Sequence, residues 1–319
     1  MSVVPDRALV VGSGSIAQRH VRNLLALGVG TVEVVTKRDV GDVEAFADTR
    51  VSVVPELPAD AAPFAVIANN SDLHVGTAAQ LVEAGTHLLV EKPIAVELDS
   101  DVVSLCLAVR ARGVVARVAY NLRLLGVMRE IEGAMRDGAL GTPLFARIEV
   151  GQWLPDWRPN RPHEASYSAS GRGGGVGLDL SHEIDYMRML FGQPSEWCGR
   201  SSSTGVLGIE APDVFDAIYR FESGFSCTVH LDYLERQVRR RLRIVGSDGV
   251  IECDIAGKRM SVRTAEGERI YDDPALFDVQ RTYPDELMSV FTEIADRSTP
   301  SLLPSLDDAC EVLALLAEG

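Results

Sequence analysis

The fold is decided near the start of the chain, where residues 8–28 read ALVVGSGSIAQRHVRNLLALG. The apolar run 8–12 is typical of a buried strand, and the apolar residues of 15–28 recur at helical spacing. Between them lies a GxGxxA loop, made of Gly12, Ser13, Gly14, Ser15, Ile16 and Ala17. Gly12 permits a tight turn, Gly14 lets the backbone approach a pyrophosphate, and the helix start offers free N–H groups. The stretch predicts a dinucleotide phosphate loop; a strand–helix turn without a ligand is the alternative.

The same alternation of strand and helix continues to residue 121. Apolar runs predict strands, and segments of helical spacing that end at glycine predict helices. The predicted strands are 32–36, 51–54, 64–69, 87–91 and 114–120, and the predicted helices are 72–84 and 98–112. Such alternation with short loops is typical of a doubly wound parallel sheet. We therefore expect an α/β Rossmann domain that binds a dinucleotide over residues 1–121.

The rhythm changes after residue 121. Strands follow one another from 196 to 272 without intervening helices, with turn signals at 221–226 and 246–249. The other predicted elements are a strand at 143–152 and helices at 126–137, 179–191, 284–297 and 305–317. This pattern predicts an α+β domain over 122–319 that has a large, open, mainly antiparallel sheet and binds substrate. Because an open sheet usually needs a partner, we expect a homodimer or homotetramer.

Composition restricts the class of partner and the location. The chain has 319 residues, which suits about two domains. It carries 31 Lys and Arg against 46 Asp and Glu, a formal charge of −15, and we therefore expect neither nucleic acid nor an anionic membrane as a partner, because both are negatively charged. No targeting segment or membrane-length apolar run is visible. Five scattered cysteines predict buried free thiols in a reducing cytoplasm, with no metal site.

The end of the second strand should select the cofactor. NAD sites usually place a carboxylate there to accept from the ribose 2′-OH. Here the strand ends in Thr36, Lys37 and Arg38, and the first carboxylate is Asp39. A hydroxyl and two cations suit a 2′-phosphate, because charged donors bind a dianion well. The sequence favours NADP(H), while NAD(H) stays possible if Asp39 reaches back.

Three further motifs carry a resemblance to a known family. Residues 69–74 read NNSDLH after the fourth strand, 91–93 read EKP after the fifth, and 173–182 read GGGVGLDLSH. With the Rossmann loop, their order and spacing resemble the Gfo/Idh/MocA (glucose–fructose oxidoreductase and inositol dehydrogenase) family over essentially the whole chain. The resemblance implies hydride transfer between NAD(H) or NADP(H) and a hydroxyl or keto carbon of a sugar or cyclitol.

Lys92 is the first candidate catalytic residue. It follows a parallel strand at its carboxyl end, where open α/β sheets bind ligands, and its ammonium group can stabilise alkoxide charge. The resemblance places it near the nicotinamide, and we expect Glu91 to hold it. The resemblance also places His74 beside the cofactor. With the loop and the second strand, the predicted cofactor contacts include Asn69, Asn70, His74, Glu91 and Lys92. A surface lysine is the alternative, although the chain has only three lysines, Lys37, Lys92 and Lys258.

Asp179, His182 and Asp185 are spaced to lie on or near one face of the predicted helix. The imidazole of His182 can exchange a hydroxyl proton near neutral pH. The resemblance implies that Asp179 and His182 complete the catalytic set with Lys92. We assign His182 as general acid/base, Asp179 as its orienter and a substrate ligand, and Asp185 as a support. A capped helix with an ordinary histidine is the alternative.

The stretch from 152 to 172 should contact the substrate. Aromatic rings suit sugar C–H groups, and a local concentration of Arg158, Arg161 and Arg172 suggests a phosphate, diphosphate or carboxylate. The predicted substrate contacts are Asn121, Arg123, Trp153, Arg158, Tyr167, Asp179 and His182. Structural arginines or an oligomer contact are an equal alternative. The loop is similar to members acting in bacterial amino-sugar or glycan biosynthesis. Reduction of a non-sugar carbonyl or imine, and a non-catalytic dinucleotide sensor, remain open.

Overall fold

The computed structural model describes residues 3–60, 62–158 and 162–317, which form two compact units. Unit 1 contains the residues up to Asn121 together with Gln280–Glu311. Unit 2 contains Leu122–Val279 and the residues from Val312 onward. The division differs from the predicted one because a C-terminal segment packs with the first unit.

Unit 1 is built on a sheet of six parallel strands in the order β3-β2-β1-β4-β5-β6. The strands are β1 (Arg7–Val11), β2 (Thr31–Val35), β3 (Val51–Val54), β4 (Phe64–Ile67), β5 (His87–Val90) and β6 (Ala116–Val118). The strand order reverses between β1 and β4, and ligands of such sheets bind outside the carboxyl ends at this point. The predicted doubly wound Rossmann fold is confirmed.

Three helices cross between these strands: α1 (Ser15–Ala26), α2 (His74–Glu83) and α3 (Ser100–Arg112). Local chemistry explains the ends of α3. The Asp99 side chain accepts from the N–H groups of Asp101 and Val102, and Gly113 ends the helix with φ of +64°. The predicted helix 72–84 starts as a short 3₁₀ turn at Ser71–Leu73 before α2 begins.

Unit 1 also contains almost all of a helix from the C-terminal part of the chain, α7 (Val279–Ala295). Phe291 packs edge to face on Phe64 of β4 at 4.9 Å, and Glu293 pairs with Arg117 of β6. These long-range contacts explain why the predicted domain boundary left it in the wrong unit. The helix also begins five residues before the predicted start at 284, and Thr282 in this additional segment is buried.

Unit 2 contains an eight-stranded sheet in the order β14-β13-β12-β11-β7-β10-β9-β8. The strands are β7 (Pro143–Gly151), β8 (Glu196–Ser202), β9 (Val214–Arg220), β10 (Ser226–Asp232), β11 (Arg239–Gly246), β12 (Gly249–Asp254), β13 (Arg259–Thr264) and β14 (Gly267–Tyr271). Only β7 and β10 pair in parallel among these strands. The two predicted hairpin turns join β9 to β10 and β11 to β12. The predicted α+β domain with a mainly antiparallel sheet is confirmed.

The helices of unit 2 correct one prediction. They are α4 (Gly126–Arg136), α5 (Val176–Asp179) and α6 (His182–Phe191), and the last helix, α8 (Leu306–Leu316), contributes residues to both units. The single helix predicted over 179–191 is therefore two helices. Leu180, with φ of −103° and ψ of 29°, interrupts the helical conformation. Asp179 ends α5 rather than opening the helix that carries His182.

The cysteines differ from the expectation of buried thiols. Cys198 is exposed and Cys310 is partly exposed, and the Sγ atoms of Cys106 and Cys310 lie 3.7 Å apart as free thiols. Within residues 3–60, 62–158 and 162–317, no helix is long and apolar enough to cross a membrane.

Candidate active site

Gly12 makes the tight turn at the end of β1. Its φ is +120°, and a Cβ added there would lie 2.4 Å from the carbonyl oxygen of Ala68, which follows β4. A side chain would therefore force the ends of the two central strands apart. Glycine at this position brings the loop to the point where the strand order reverses.

The loop then leaves the start of α1 open. Gly14 caps the helix in extended conformation without a side-chain hydrogen bond, and a Cβ added to it would meet nothing within 4 Å. The first-turn N–H groups of α1 thus have no side-chain cap, and such groups form a favourable site for an anion. Ser15 at the helix start is exposed, and Ile16 is half-buried. The residues present fit a dinucleotide pyrophosphate.

The residues after β2 are arranged around Thr36. Its Oγ1 lies 3.1 Å from the Ser13 hydroxyl and accepts from the Arg38 backbone N–H. Lys37 and Arg38 are exposed, with Lys37 3.6 Å from Glu56. Asp39 accepts from the backbone N–H of Gly41, so its side chain is engaged in its own turn.

His74, at the start of α2, contacts both the segment after β4 and the segment after β5. Its buried ring lies 2.9 Å from the carbonyl oxygen of Pro93 and 3.2 Å from that of Asn69, and burial lowers the pKa of His74. The Asn69 amide donates to Thr77, while its buried Oδ1 has no hydrogen-bond partner among the described residues. Asn70 beside it is exposed. His74 therefore supports the segment that carries the EKP motif, and Asn69 retains an acceptor for a ligand.

The EKP motif extends β5 at its carboxyl end. The Glu91 backbone N–H donates to the Ile67 carbonyl at 2.9 Å, and its side chain lies 2.7 Å from His20 Nε2. Lys92 is partly exposed at this edge of the sheet. Lys92 therefore follows a fixed residue at the edge where parallel sheets bind ligands.

In unit 2, Asp179 is held by a residue that sequence reasoning missed. The Tyr233 hydroxyl donates to Asp179 Oδ2 at 2.5 Å, and Tyr233 is fully buried beneath Trp157, whose ring lies edge-on at 5.4 Å. Burial, and next the Asp179 charge, raise the pKa of Tyr233 well above its usual value, so it remains a donor. Tyr233 follows β10 and Asp179 ends α5, 54 residues earlier in the chain, so no local pattern signals the contact.

His182 is partly exposed at the first position of α6, and two ion pairs anchor the residues that follow it. Asp185 accepts from both Nε and Nη2 of Arg123 at 2.7 Å, and Glu183 lies 2.9 Å from Arg240 Nε. Both carboxylates are buried. The predicted supporting role of Asp185 has this geometric basis, and Nε and Nη2 of Arg123, a predicted substrate contact, are engaged by Asp185.

The remaining predicted substrate residues differ in their surroundings. The Arg236 guanidinium stacks 3.4 Å above the Trp153 ring, and Tyr167 is half-buried. Arg158 and Arg172 are exposed, and neither forms an ion pair within the described part of the chain. Asn121, in unit 1, is buried and donates to Thr282 Oγ1 at 2.7 Å. The predicted Arg161 lies outside the described residues.

The structure thus groups the predicted residues by unit. The phosphate loop, the residues after β2 and Lys92 lie at the carboxyl edge of the unit 1 sheet. Asp179, His182 and Asp185 lie in unit 2 around the junction of α5 and α6.

Two family models match the chain along most of its length. Residues 7–120 match the oxidoreductase family with the NAD-binding Rossmann fold, and residues 128–252 match the GFO/IDH/MocA C-terminal domain. The chain belongs to the Gfo/Idh/MocA family of oxidoreductases. The predicted family is confirmed, and with it an oxidoreductase with an NAD-binding Rossmann fold.

The chain is also similar to individual proteins along most of its length. A 1,5-anhydro-D-fructose reductase of Ensifer adhaerens is 28% identical, over 83% of this chain and 83% of its own length. An inositol 2-dehydrogenase 2 of Paenarthrobacter aurescens is 26% identical, over 95% and 92%. The solved WlbA dehydrogenase of Bordetella pertussis, in complex with NADH and UDP-GlcNAcA, has a TM-score of 0.83 at 20% identity, covering 99% of this chain and 94% of its own. At 20% identity, the likeness to the WlbA dehydrogenase shows a shared fold alone.

Proposed function

We propose that this oxidoreductase transfers a hydride between NADP(H) and the hydroxyl or keto carbon of an anionic sugar, such as a phosphosugar or nucleotide sugar. The observation that carries the proposal is the glycine loop at the reversal of strand order, with Lys92 two strands away on the same edge. The reductase and the dehydrogenase relatives, which span most of this chain, support a sugar or cyclitol substrate.

In the proposed reaction, one residue stabilises negative charge and another transfers the proton. A bound nicotinamide supplies or accepts the hydride. Lys92 stabilises negative charge on the reacting oxygen, and His182 takes or gives the hydroxyl proton. Asp179, fixed by Tyr233, orients His182 and a substrate hydroxyl. The first turn of α1 holds the pyrophosphate, and the ion pairs of α6 keep His182 in place.

A substrate panel tests the reaction. Purified protein is mixed with oxidised or reduced NAD and NADP and with inositol, 1,5-anhydro-D-fructose, neutral aldoses, and their phosphates and UDP derivatives, and nicotinamide absorbance is followed. Turnover of at least one sugar-like alcohol or ketone is expected. Binding of the nucleotide without turnover of any compound would instead favour a dinucleotide sensor, and turnover of an imine alone would replace the substrate class.

The preference for NADP(H) rests on the turn after β2. Lys37 and Arg38 are exposed where a ribose 2′-phosphate is expected, Thr36 is fixed beside them, and Asp39 is turned into its own loop. We expect Arg38→Ala to weaken NADPH binding about tenfold, a loss of ~1.4 kcal/mol, and to leave NADH binding unchanged. Tryptophan-fluorescence titration measures both affinities, with Asp39→Asn as the control. Selective NADH binding by the unaltered protein would refute this preference.

The anionic group of the substrate rests on exposed arginines of unit 2. Arg158 and Arg172 carry positive charge without a carboxylate partner among the described residues, in a protein of formal charge −15. We expect Arg158→Ala to raise KM for a phosphorylated substrate and not for its neutral analogue, because a charge-assisted contact is lost. Arg200→Ala, an exposed arginine on β8, is the matched control. Equal turnover of charged and neutral sugars, unchanged by Arg158→Ala, would contradict the proposal.

A biosynthetic role and a homo-oligomer complete the proposal. An anionic sugar and NADP(H) together suit reductive sugar or glycan biosynthesis.

The outward face of the unit 2 sheet exposes Ile218 beside Cys198, an apolar strip of the kind that subunit contacts cover. Light scattering should give a dimer or tetramer, and Ile218→Glu should weaken it. A monomer at micromolar concentration would exclude the assembly.

A further inference from the structure

Three ionisable side chains meet inside unit 1 on the residue that precedes Lys92. His20 comes from α1, Glu91 follows β5, and Glu286 comes from α7. His20 Nε2 lies 2.7 Å from Glu91 Oε1 and 3.9 Å from Glu286 Oε1. His20 and Glu286 have no exposed surface, and Glu91 is largely covered. No part of the proposed reaction uses His20 or Glu286 directly.

The Glu286 carboxyl group is the unusual member. Neither of its oxygens has a hydrogen-bond partner among the described residues, although the group is fully buried. Burial, and next the nearby Glu91 charge, raise the pKa of Glu286 well above its usual value, while Arg19 acts in the opposite direction. The neutral carboxylic acid is the less costly form in this environment, because burial of a bare carboxylate is penalised more strongly.

The surrounding groups close the site. Arg19 of α1 lies with its guanidinium 4.3 Å over the ring of Tyr283, and the same ring stands edge-on to His20. The positive charge of Arg19 therefore faces the cluster from the α1 side, and Tyr283 covers it from α7. Water has little access to His20 or Glu286, so their contacts are fixed by packing rather than by solvent.

We propose that His20 and Glu286 are positioning residues for Lys92, acting through Glu91. The Glu91 side chain is held by His20, which packs against Glu286, while the Glu91 backbone N–H is held by Ile67 in the sheet. Side chain and backbone are thus fixed at the same residue, so the direction in which the next residue, Lys92, leaves the sheet is determined. This inference rests on the proposed function, in which Lys92 contacts the reacting oxygen.

A metal ion is the competing occupant of this cluster. The three ligand atoms lie within 4.8 Å of one another, which is close enough to surround an ion. Two ligands with metal bonds of ~2.0–2.1 Å at a tetrahedral angle lie roughly 3.3 Å apart. The observed 2.7 Å between His20 Nε2 and Glu91 Oε1 is instead a hydrogen-bond distance. The geometry therefore favours a proton-bearing cluster, and metal content becomes an outcome of the test.

The small number of lysines permits a test that needs no substrate. Reductive methylation with ¹³C-formaldehyde labels Lys37, Lys92 and Lys258 and the N-terminal amine, and Lys37→Arg and Lys258→Arg assign the lysine NMR signals. We expect His20→Gln and Glu286→Ala to shift or broaden the Lys92 signal and to leave the other two unchanged. Glu286→Gln, which imitates the neutral acid, should restore the signal of the unaltered protein. Where a substrate is known, His20→Gln should lower kcat about tenfold with little change in KM.

Glu293→Gln is the matched control, because Glu293 is a mostly buried carboxylate of the same helix that pairs with Arg117 instead. It should leave the Lys92 signal unchanged, and thermal unfolding of each variant confirms that it is folded. A Lys92 signal unaffected in folded His20→Gln would overturn the proposal. So would a stoichiometric metal in the purified protein that Glu286→Gln loses. A failed substrate panel with a responsive Lys92 signal would instead count against the proposed function alone.

Discussion

Removal of the Tyr233 hydroxyl tests the part of the site that sequence reasoning did not reach. Tyr233→Phe deletes one hydrogen bond to Asp179 Oδ2, at 2.5 Å, and leaves the buried ring and its contact with Trp157 in place. No cavity is created, so the variant should fold. Any change in rate then reports the orientation of Asp179.

The expected loss follows from the environment of Asp179. A hydrogen bond to a charged group contributes about 1.5–3 kcal/mol, and each ~1.4 kcal/mol of transition-state stabilisation corresponds to about tenfold in rate. Because Asp179 is partly exposed, water replaces part of the lost contact. We therefore expect kcat/KM to fall by about tenfold, near the lower end of the range.

The assay is steady-state hydride transfer with the best substrate of the panel, with cofactor affinity measured separately. Tyr219→Phe is the matched control: Tyr219 is also fully buried, but its hydroxyl donates to the Leu315 carbonyl. It should lose about 0.5–1.5 kcal/mol of unfolding free energy and no activity. An unchanged kcat/KM in folded Tyr233→Phe would refute the assignment of Tyr233 as the residue that orients Asp179.

Three further predictions address the supports of the site, the phosphate loop and the large sheet. Asp185→Asn leaves the mostly buried Arg123 without its counter-charge, so the free energy of unfolding in urea should fall by about 3–5 kcal/mol. A fall below ~1 kcal/mol would contradict the anchoring role of Asp185. Gly14→Ala should weaken NADPH binding tenfold or more with unchanged thermal stability, because a Cβ at Gly14 meets no protein atom. Gly12→Ala should instead destabilise the fold by about 2 kcal/mol or more. Equal losses of stability in the two variants would contradict the open space at Gly14. The hydrogen bond to Asp232, together with a second aspartate, raises the pKa of His230 to about 9, so its stabilisation is complete below about pH 6.5 and lost as the pH rises through 9. The unfolding free energy should fall over that interval relative to His230→Gln, and parallel pH profiles would exclude the effect.

Local sequence determines the part of the fold that sequence reasoning predicted well. The strand, glycine loop and helix of residues 7–26 form from consecutive residues, and Gly12 is required by a contact only one strand away. Glycine likewise marks the end of α3 at Gly113. Motif order was sufficient to predict the family, and three of the motifs have a common structural basis. The glycine loop, residues 69–74 and the EKP motif each follow a strand of the parallel sheet, whose carboxyl ends lie at one edge.

Long-range packing determines what could not be predicted. The placement of α7 depends on the contact between Phe64 and Phe291, more than 200 residues apart. Tyr233 reaches Asp179 only after the sheet of unit 2 has paired, and Glu286 reaches His20 only after α7 has docked. The break at Leu180 is a backbone departure in a segment whose side-chain spacing still suits a continuous helix.

The central claim is hydride transfer assisted by Lys92 and His182, and a single-turnover experiment tests it most directly. The unaltered protein, Lys92→Ala and His182→Ala are each saturated with reduced cofactor and mixed with the ketone form of the substrate. Nicotinamide absorbance is then followed in the stopped flow. We expect both variants to bind the cofactor normally and to transfer the hydride at least ~10²-fold more slowly, as is typical of lost acid/base groups. Transfer at the rate of the unaltered protein in both variants would contradict the account.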